Sequence, residues 1–118
     1  LQQAYQYANS GEYEKAAELL EELRYEQGDR LRILTALGIV YLQMGRYTDA
    51  RDVLEQAVNL YPKSLPLHYT LALLYEKLKL WHLAEWEWIK VERLAKNDRN
   101  LRKLARKHIQ QVREEQGR

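Results

Sequence analysis

The side chains that could carry out acid–base, nucleophilic or metal chemistry in this 118-residue chain are few. His68, His82 and His108 are the three histidines, and no two stand four apart, the spacing that sets a pair of imidazoles on one helix face around a metal. His68 and His108 fall among apolar neighbours at helical spacing, where packing accounts for them. Ser10 and Ser64 are the two serines; both sit where a helix begins or ends, and capping explains them without a nucleophile. The carboxylate pairs Glu21-Glu22 and Glu114-Glu115 have no acid or electrophile near them in sequence. The absence of cysteine excludes disulfides, thiolate catalysis and Cys-type zinc sites. The five glycines, Gly11, Gly28, Gly38, Gly45 and Gly117, have turn, packing or terminal roles and form no phosphate-binding loop. No catalytic residue, no metal and no cofactor is expected.

Trp81, Trp86 and Trp88, all three tryptophans, crowd into WHLAEWEWIK and raise the question of an aromatic ligand box. The surrounding elements decide it. Hydrophobic residues make up 46% of the chain, enough for one domain with its own core over residues 1–118. No apolar run approaches the roughly 20 residues of a bilayer-spanning helix, so membrane insertion is not expected. The sequence opens on Leu1 and is read as a piece of a longer protein. Its compartment stays open, with the cytoplasm as the default. Net charge is +2, unevenly placed: residues 97–118 hold seven Lys/Arg against three Asp/Glu, whereas residues 1–96 hold twelve against fourteen.

A 34-residue register organises the chain. It aligns Tyr7, Tyr41 and Tyr75; Tyr13, Tyr47 and Trp81; Ala16, Ala50 and Ala84; and Leu20, Leu54 and Trp88. Within a unit, apolar residues recur at steps of three and four, as in Leu34, Leu37, Val40 and Tyr41, which is the stripe of an amphipathic helix. Ser10-Gly11 and Met44-Gly45 split each unit into two helices; Gly28-Asp29 and Tyr61-Pro62-Lys63-Ser64 separate the units. Ser64 is placed to cap the helix that Pro66 opens. The boundaries are residues 1–30 for repeat one with its first helix truncated, 31–64 for repeat two, 65–98 for repeat three, and 99–116 for a last helix carrying the apolar stripe Leu101, Leu104, Ala105, His108, Ile109 and Val112. The small-residue column Ala4, Gly38 and Ala72 continues at Arg106, which predicts that the last helix is a cap with a solvated outer face. The expectation is an all-α chain of about seven helices in antiparallel pairs.

Residues 37–62, LGIVYLQMGRYTDARDVLEQAVNLYP, resemble the tetratricopeptide repeat (TPR) through Gly38, Tyr41, Gly45, Tyr47, Ala50, Leu54, Ala57 and Pro62. Repeat three keeps Ala72, Tyr75, Ala84 and Trp88 but has Lys79 for the turn glycine, Val91 for the second alanine and Lys96 for proline. Repeat one keeps Ala4, Tyr7, Gly11, Tyr13, Ala16 and Leu20, with Leu23 and Gly28 at the last two positions. The resemblance implies a right-handed superhelix, an α-solenoid whose first helices line a concave groove that binds a partner's peptide. Carried over residue by residue, the groove positions are Tyr5, Ala8 and Asn9; Arg32, Thr35, Ala36, Ile39, Leu42 and Gln43; and Tyr69, Thr70, Leu73, Glu76 and Lys77; the cap adds Lys103, Lys107 and Gln111. The apolar members suit a peptide or helix, and Lys77, Lys103 and Lys107 suit one with acidic residues. Family members that clamp a chaperone's C-terminal carboxylate use Lys, Asn and Arg where this chain has Leu1, Tyr5, Ala36, Pro66 and Thr70, so that specificity is not expected.

The function implied is a non-catalytic protein–protein interaction module, a scaffold or adaptor part of a larger protein or complex. Two alternatives remain. One is self-association to a homo-oligomer through the open first repeat or the convex surface. The other is RNA binding by Arg99, Arg102, Lys103, Arg106, Lys107 and Arg113, which the mildly acidic body disfavours. The register also resolves the tryptophans: Trp81 and Trp88 share columns with packing residues and should be core, whereas Trp86 shares one with Glu18 and Asp52 and is a candidate contact on the convex side.

Overall fold

The computed structural model describes residues 1–26 and 28–118, and among these the chain is all α with no strand. Its helices are α1 (Gln2–Asn9), α2 (Tyr13–Leu23), α3 (Arg30–Gln43), α4 (Tyr47–Leu60), α5 (Leu65–Lys77), α6 (Trp81–Leu94) and α7 (Arg99–Glu115). The helices fall into two compact units, residues 1–61 and 62–118. In the first, α1 packs on α2, α2 on α3 and α3 on α4; in the second, α5 packs on α6 and α6 on α7.

The repeat columns become contacts within each unit. Ala16, Ala50 and Ala84 are fully buried, as are Leu54 and Trp88, with Leu20 nearly so. The small-residue column has a steric cause: a Cβ on Gly38 would lie 2.3 Å from the Leu54 side chain, so α3 and α4 approach as closely as they do only because position 38 has none. Ala4 and Ala72 in the same column are buried, while Arg106 is exposed on α7 and paired with Glu92.

Each hairpin closes in the same way. Gly11, Gly45 and Lys79 all take left-handed backbone, with φ of 80°, 76° and 59°. The N–H of the following residue reaches back to a tyrosine carbonyl, Glu12 to Tyr7, Arg46 to Tyr41 and Leu80 to Tyr75, closing a Schellman turn. Lys79 therefore occupies a glycine position. Ser64 accepts from the Leu67 N–H at 3.4 Å and Asp98 from the Leu101 N–H at 3.0 Å, capping α5 and α7.

Trp81 departs from expectation. It is half-buried rather than core, as are Tyr13 and Tyr47 in its column. All three are the first residue of their helix, where neighbours cover only one side of the ring. Trp88 is fully buried, with Tyr69 edge-on at 5.5 Å between ring centres and His108 stacked at 4.3 Å.

Candidate functional site

The expected groove residues of the first unit fall at steps of three and four along α3. Arg32 and Gln43 are exposed, Ile39 is 39% exposed, and Thr35 and Leu42 are half-buried, opposite the buried Ile33, Leu34, Leu37 and Val40. The Thr35 hydroxyl donates to the Leu31 carbonyl at 2.6 Å, so it offers a ligand its methyl group and an acceptor oxygen but no donor. The Gln43 side-chain oxygen accepts from the Tyr13 hydroxyl at 2.9 Å. On α1, Tyr5 is half-buried and Asn9 exposed. Ala36 is buried and unavailable to a ligand.

In the second unit, Tyr69 and Leu73 are half-buried on α5 and Lys77 is exposed one turn on; Lys103 and Lys107 are exposed on α7, also one turn apart. Thr70 and Glu76, expected on this face, serve the interior instead. Thr70 is buried and donates to the Pro66 carbonyl at 2.7 Å. Glu76 accepts from the Trp88 indole N–H and from His108 Nδ1, and so gives the buried indole the partner that it needs.

Two buried carboxylates were invisible in the sequence. Glu87 takes His68 Nδ1 at 2.9 Å, and the other nitrogen of His68 reaches the Pro62 carbonyl at 2.7 Å. The Pro62 carbonyl can only accept, and the Glu87 hydrogen bond favours the protonated ring, in which both nitrogens donate. The Glu87 hydrogen bond, with a further contribution from Pro62, accordingly holds the His68 pKa above its ordinary value against the pull of burial. A histidine oriented by a carboxylate makes up two members of a catalytic triad, but this one is buried and has both nitrogens committed. Its evident work is to tie the start of α5 to α6. Glu85, 7% exposed, receives Arg113 at 2.8 Å, Gln116 at 3.0 Å and Arg118 at 2.8 Å. The Arg113 hydrogen bond leads in holding its carboxyl below the usual range. Trp86, one helix position further, is 64% exposed.

Comparison with known proteins fits this arrangement of hairpins. The tetratricopeptide repeat profile matches residues 7–74, more than half of the chain. The chain belongs to the tetratricopeptide repeat family. Over 75 residues it is 36% identical to the rhomboid protease GluP of Bacillus subtilis; the match covers 64% of this chain and 15% of that much longer protein. Solved structures share the fold, two of them as follows. PcrH from Pseudomonas aeruginosa superposes with a TM-score of 0.83 over 92% of this chain and 85% of its own, at 17% identity. The Yersinia enterocolitica type III secretion translocator chaperone SycD, in an alternative dimer, gives 0.86 over 98% and 89%, at 19% identity. At those identities the likeness is one of fold.

Among the described residues no group of His, Asp and Glu is placed to hold a metal, and no helix is long and apolar enough to cross a membrane. The TPR hairpins present their side chains as surfaces for contact.

Proposed function

We propose that this TPR chain is a non-catalytic protein–protein interaction module, which takes a peptide or helix of a partner protein on the exposed faces of its first helices. The observation that carries the reading is that apolar side chains are left uncovered on those faces within each unit. Ile39, with Leu42 beside it on α3, and Tyr69 with Leu73 on α5, meet solvent although the fold does not require apolar residues at such positions. Tyr5 and Asn9 on α1, with Arg32, Thr35 and Gln43 on α3, complete the contact set in the first unit; Lys77, Lys103 and Lys107 do so in the second. Those three lysines have no carboxylate within ion-pair distance among the described residues, which favours a ligand with acidic side chains. RNA is the weaker candidate, because Arg106 and Arg113, two of the α7 cations it would need, are engaged by Glu92 and Glu85.

The test is capture of a partner from native cell extract by the wild-type chain and by an Ile39→Glu/Leu73→Glu double variant. Ile39 is exposed and Leu73 half-buried, outside the fully buried core, so the double variant should keep its helical circular dichroism while losing the partner. Undiminished capture would remove these faces from the binding site.

A further inference from the structure

The outer surface of α6 differs from its counterparts in a way that the helix-pair fold does not demand. At one set of 34-residue columns, α2 carries Lys15, Glu18 and Glu21, and α4 carries Asp49, Asp52 and Glu55. All six are charged. The same columns in α6 hold Leu83, Trp86 and Ile89, a stripe at three-residue steps along one side of the helix. Leu83 is 38% exposed, Trp86 is 64% exposed and Ile89 is half-buried. Two sister hairpins of the chain are built with charges here, so hairpin packing does not account for a tryptophan in water. Large exposed aromatics with apolar neighbours and a polar rim mark contact surfaces.

A cleft of about 370 Å³ lies against this stripe, with Trp86 and Ile89 as its apolar part and Lys90, Arg93 and Arg118 among its lining. Its one carboxylate, Glu85, is nearly buried and already receives Arg113, Gln116 and Arg118. Lys90 has only a long contact of 3.4 Å to Glu87, and Arg93 has no carboxylate within ion-pair distance among the described residues. An incoming ligand therefore meets an aromatic anchor point beside cations with little negative charge exposed between them.

We infer that the α6 outer face, centred on Trp86 and Ile89 and flanked by Lys90 and Arg93, is a second docking surface of this module, separate from the first-helix faces. Its occupant is an acidic amphipathic segment of a partner protein, with aliphatic side chains against Trp86 and carboxylates toward Lys90 and Arg93. Charge complementarity selects that occupant over a neutral or basic one.

Labelled synthetic peptides of one amphipathic helical pattern test this by fluorescence anisotropy: a leucine stripe flanked by glutamates, the same stripe flanked by lysines, and the glutamate peptide with its leucines replaced by serine. The leucine–glutamate peptide should bind in the micromolar range and the other two at least about tenfold more weakly. Trp86→Glu should weaken it by about tenfold or more, and Arg93→Glu by several fold. Both positions are exposed, so thermal melts should show the variants folded. The same peptide also suits the first-helix faces, so the titrations are made in the Ile39→Glu/Leu73→Glu background, where the binding that remains reports the α6 face and keeps the two surfaces distinguishable. In that background, equal binding of the three peptides, no binding at millimolar concentration, or binding that Trp86→Glu leaves unchanged would each overturn the inference. So would a wild-type dimer by sedimentation that Trp86→Glu dissolves, which would assign the face to a second copy. Trp86-dependent binding to vesicles of anionic phospholipid without peptide binding would assign it to a lipid surface.

Discussion

Trp86 and Trp88 stand two residues apart on α6 and do opposite things. The Trp88 ring is fully enclosed, bonded through its indole N–H to Glu76, stacked on His108 and met edge-on by Tyr69. Truncation to alanine would leave a cavity and take from Glu76 one of its two donors, and should cost about 3 to 5 kcal/mol. The Trp86 ring lies mostly in water, and Trp86→Ala should cost roughly 0.5 kcal/mol or less. Urea unfolding of the two variants measures both losses; near-equal values would contradict the 34-residue register that separates them. That difference was legible in the sequence because the columns of Leu20 and Leu54, and of Glu18 and Asp52, are inward and outward in every hairpin. The half-burial of Trp81 was not, because a column identifies the side of a helix and not how far a neighbour extends past its first residue. Nor were the buried Glu85 and Glu87. Each is held chiefly by partners distant in sequence, Arg113, Gln116 and Arg118 for one and His68 for the other, and a single sequence carries no sign of which distant side chains meet.

The seven helices among the described residues, and their breaks, follow from local rules that the chain obeys almost everywhere: helical spacing of apolar residues, Ser64 and Asp98 as caps, glycine where φ must be positive. Lys79 is the exception. Its backbone completes the same Schellman turn as Gly11 and Gly45, with Leu80 bonded to Tyr75, so the turn forms despite the residue rather than because of it. A side-chain-bearing residue pays about 1–2 kcal/mol for left-handed backbone. Glycine avoids that but gives back roughly 0.5–1 kcal/mol through the greater freedom of its unfolded chain. Lys79→Gly should thus raise stability by up to about 1 kcal/mol, visible as a higher urea midpoint at unchanged slope. A lower midpoint would mean that the lysine side chain makes a compensating contact. Sequence spacing showed Lys79 to be out of pattern at this turn, and the structure gives the physical meaning of the departure.

Over the whole chain, charge is divided between the two units. Residues 1–61 hold six Lys/Arg against ten Asp/Glu, and residues 62–118 hold thirteen against seven. Many of the second unit's cations are exposed, and Lys77, Lys103 and Lys107 lack carboxylate partners among the described residues, whereas Ile39, Leu42, Tyr69 and Leu73 supply apolar area. If an acidic peptide binds on the first-helix faces, the two kinds of residue should act on different rates. Exposed charges steer the encounter and are weakened by salt, while apolar contacts form only once the ligand has docked. Lys103→Glu/Lys107→Glu should therefore lower the association rate several fold at low ionic strength, and the deficit should shrink as salt approaches about 0.15 M, where charges beyond roughly 8 Å are screened. Ile39→Ala/Leu73→Ala should instead raise the dissociation rate, with little change in association and little dependence on salt. Stopped-flow binding of a labelled acidic peptide at several ionic strengths resolves the two. A lysine variant whose loss lay wholly in dissociation and persisted at high salt would place those lysines in direct, desolvated contact with the ligand, and the division between steering and holding would not describe this surface.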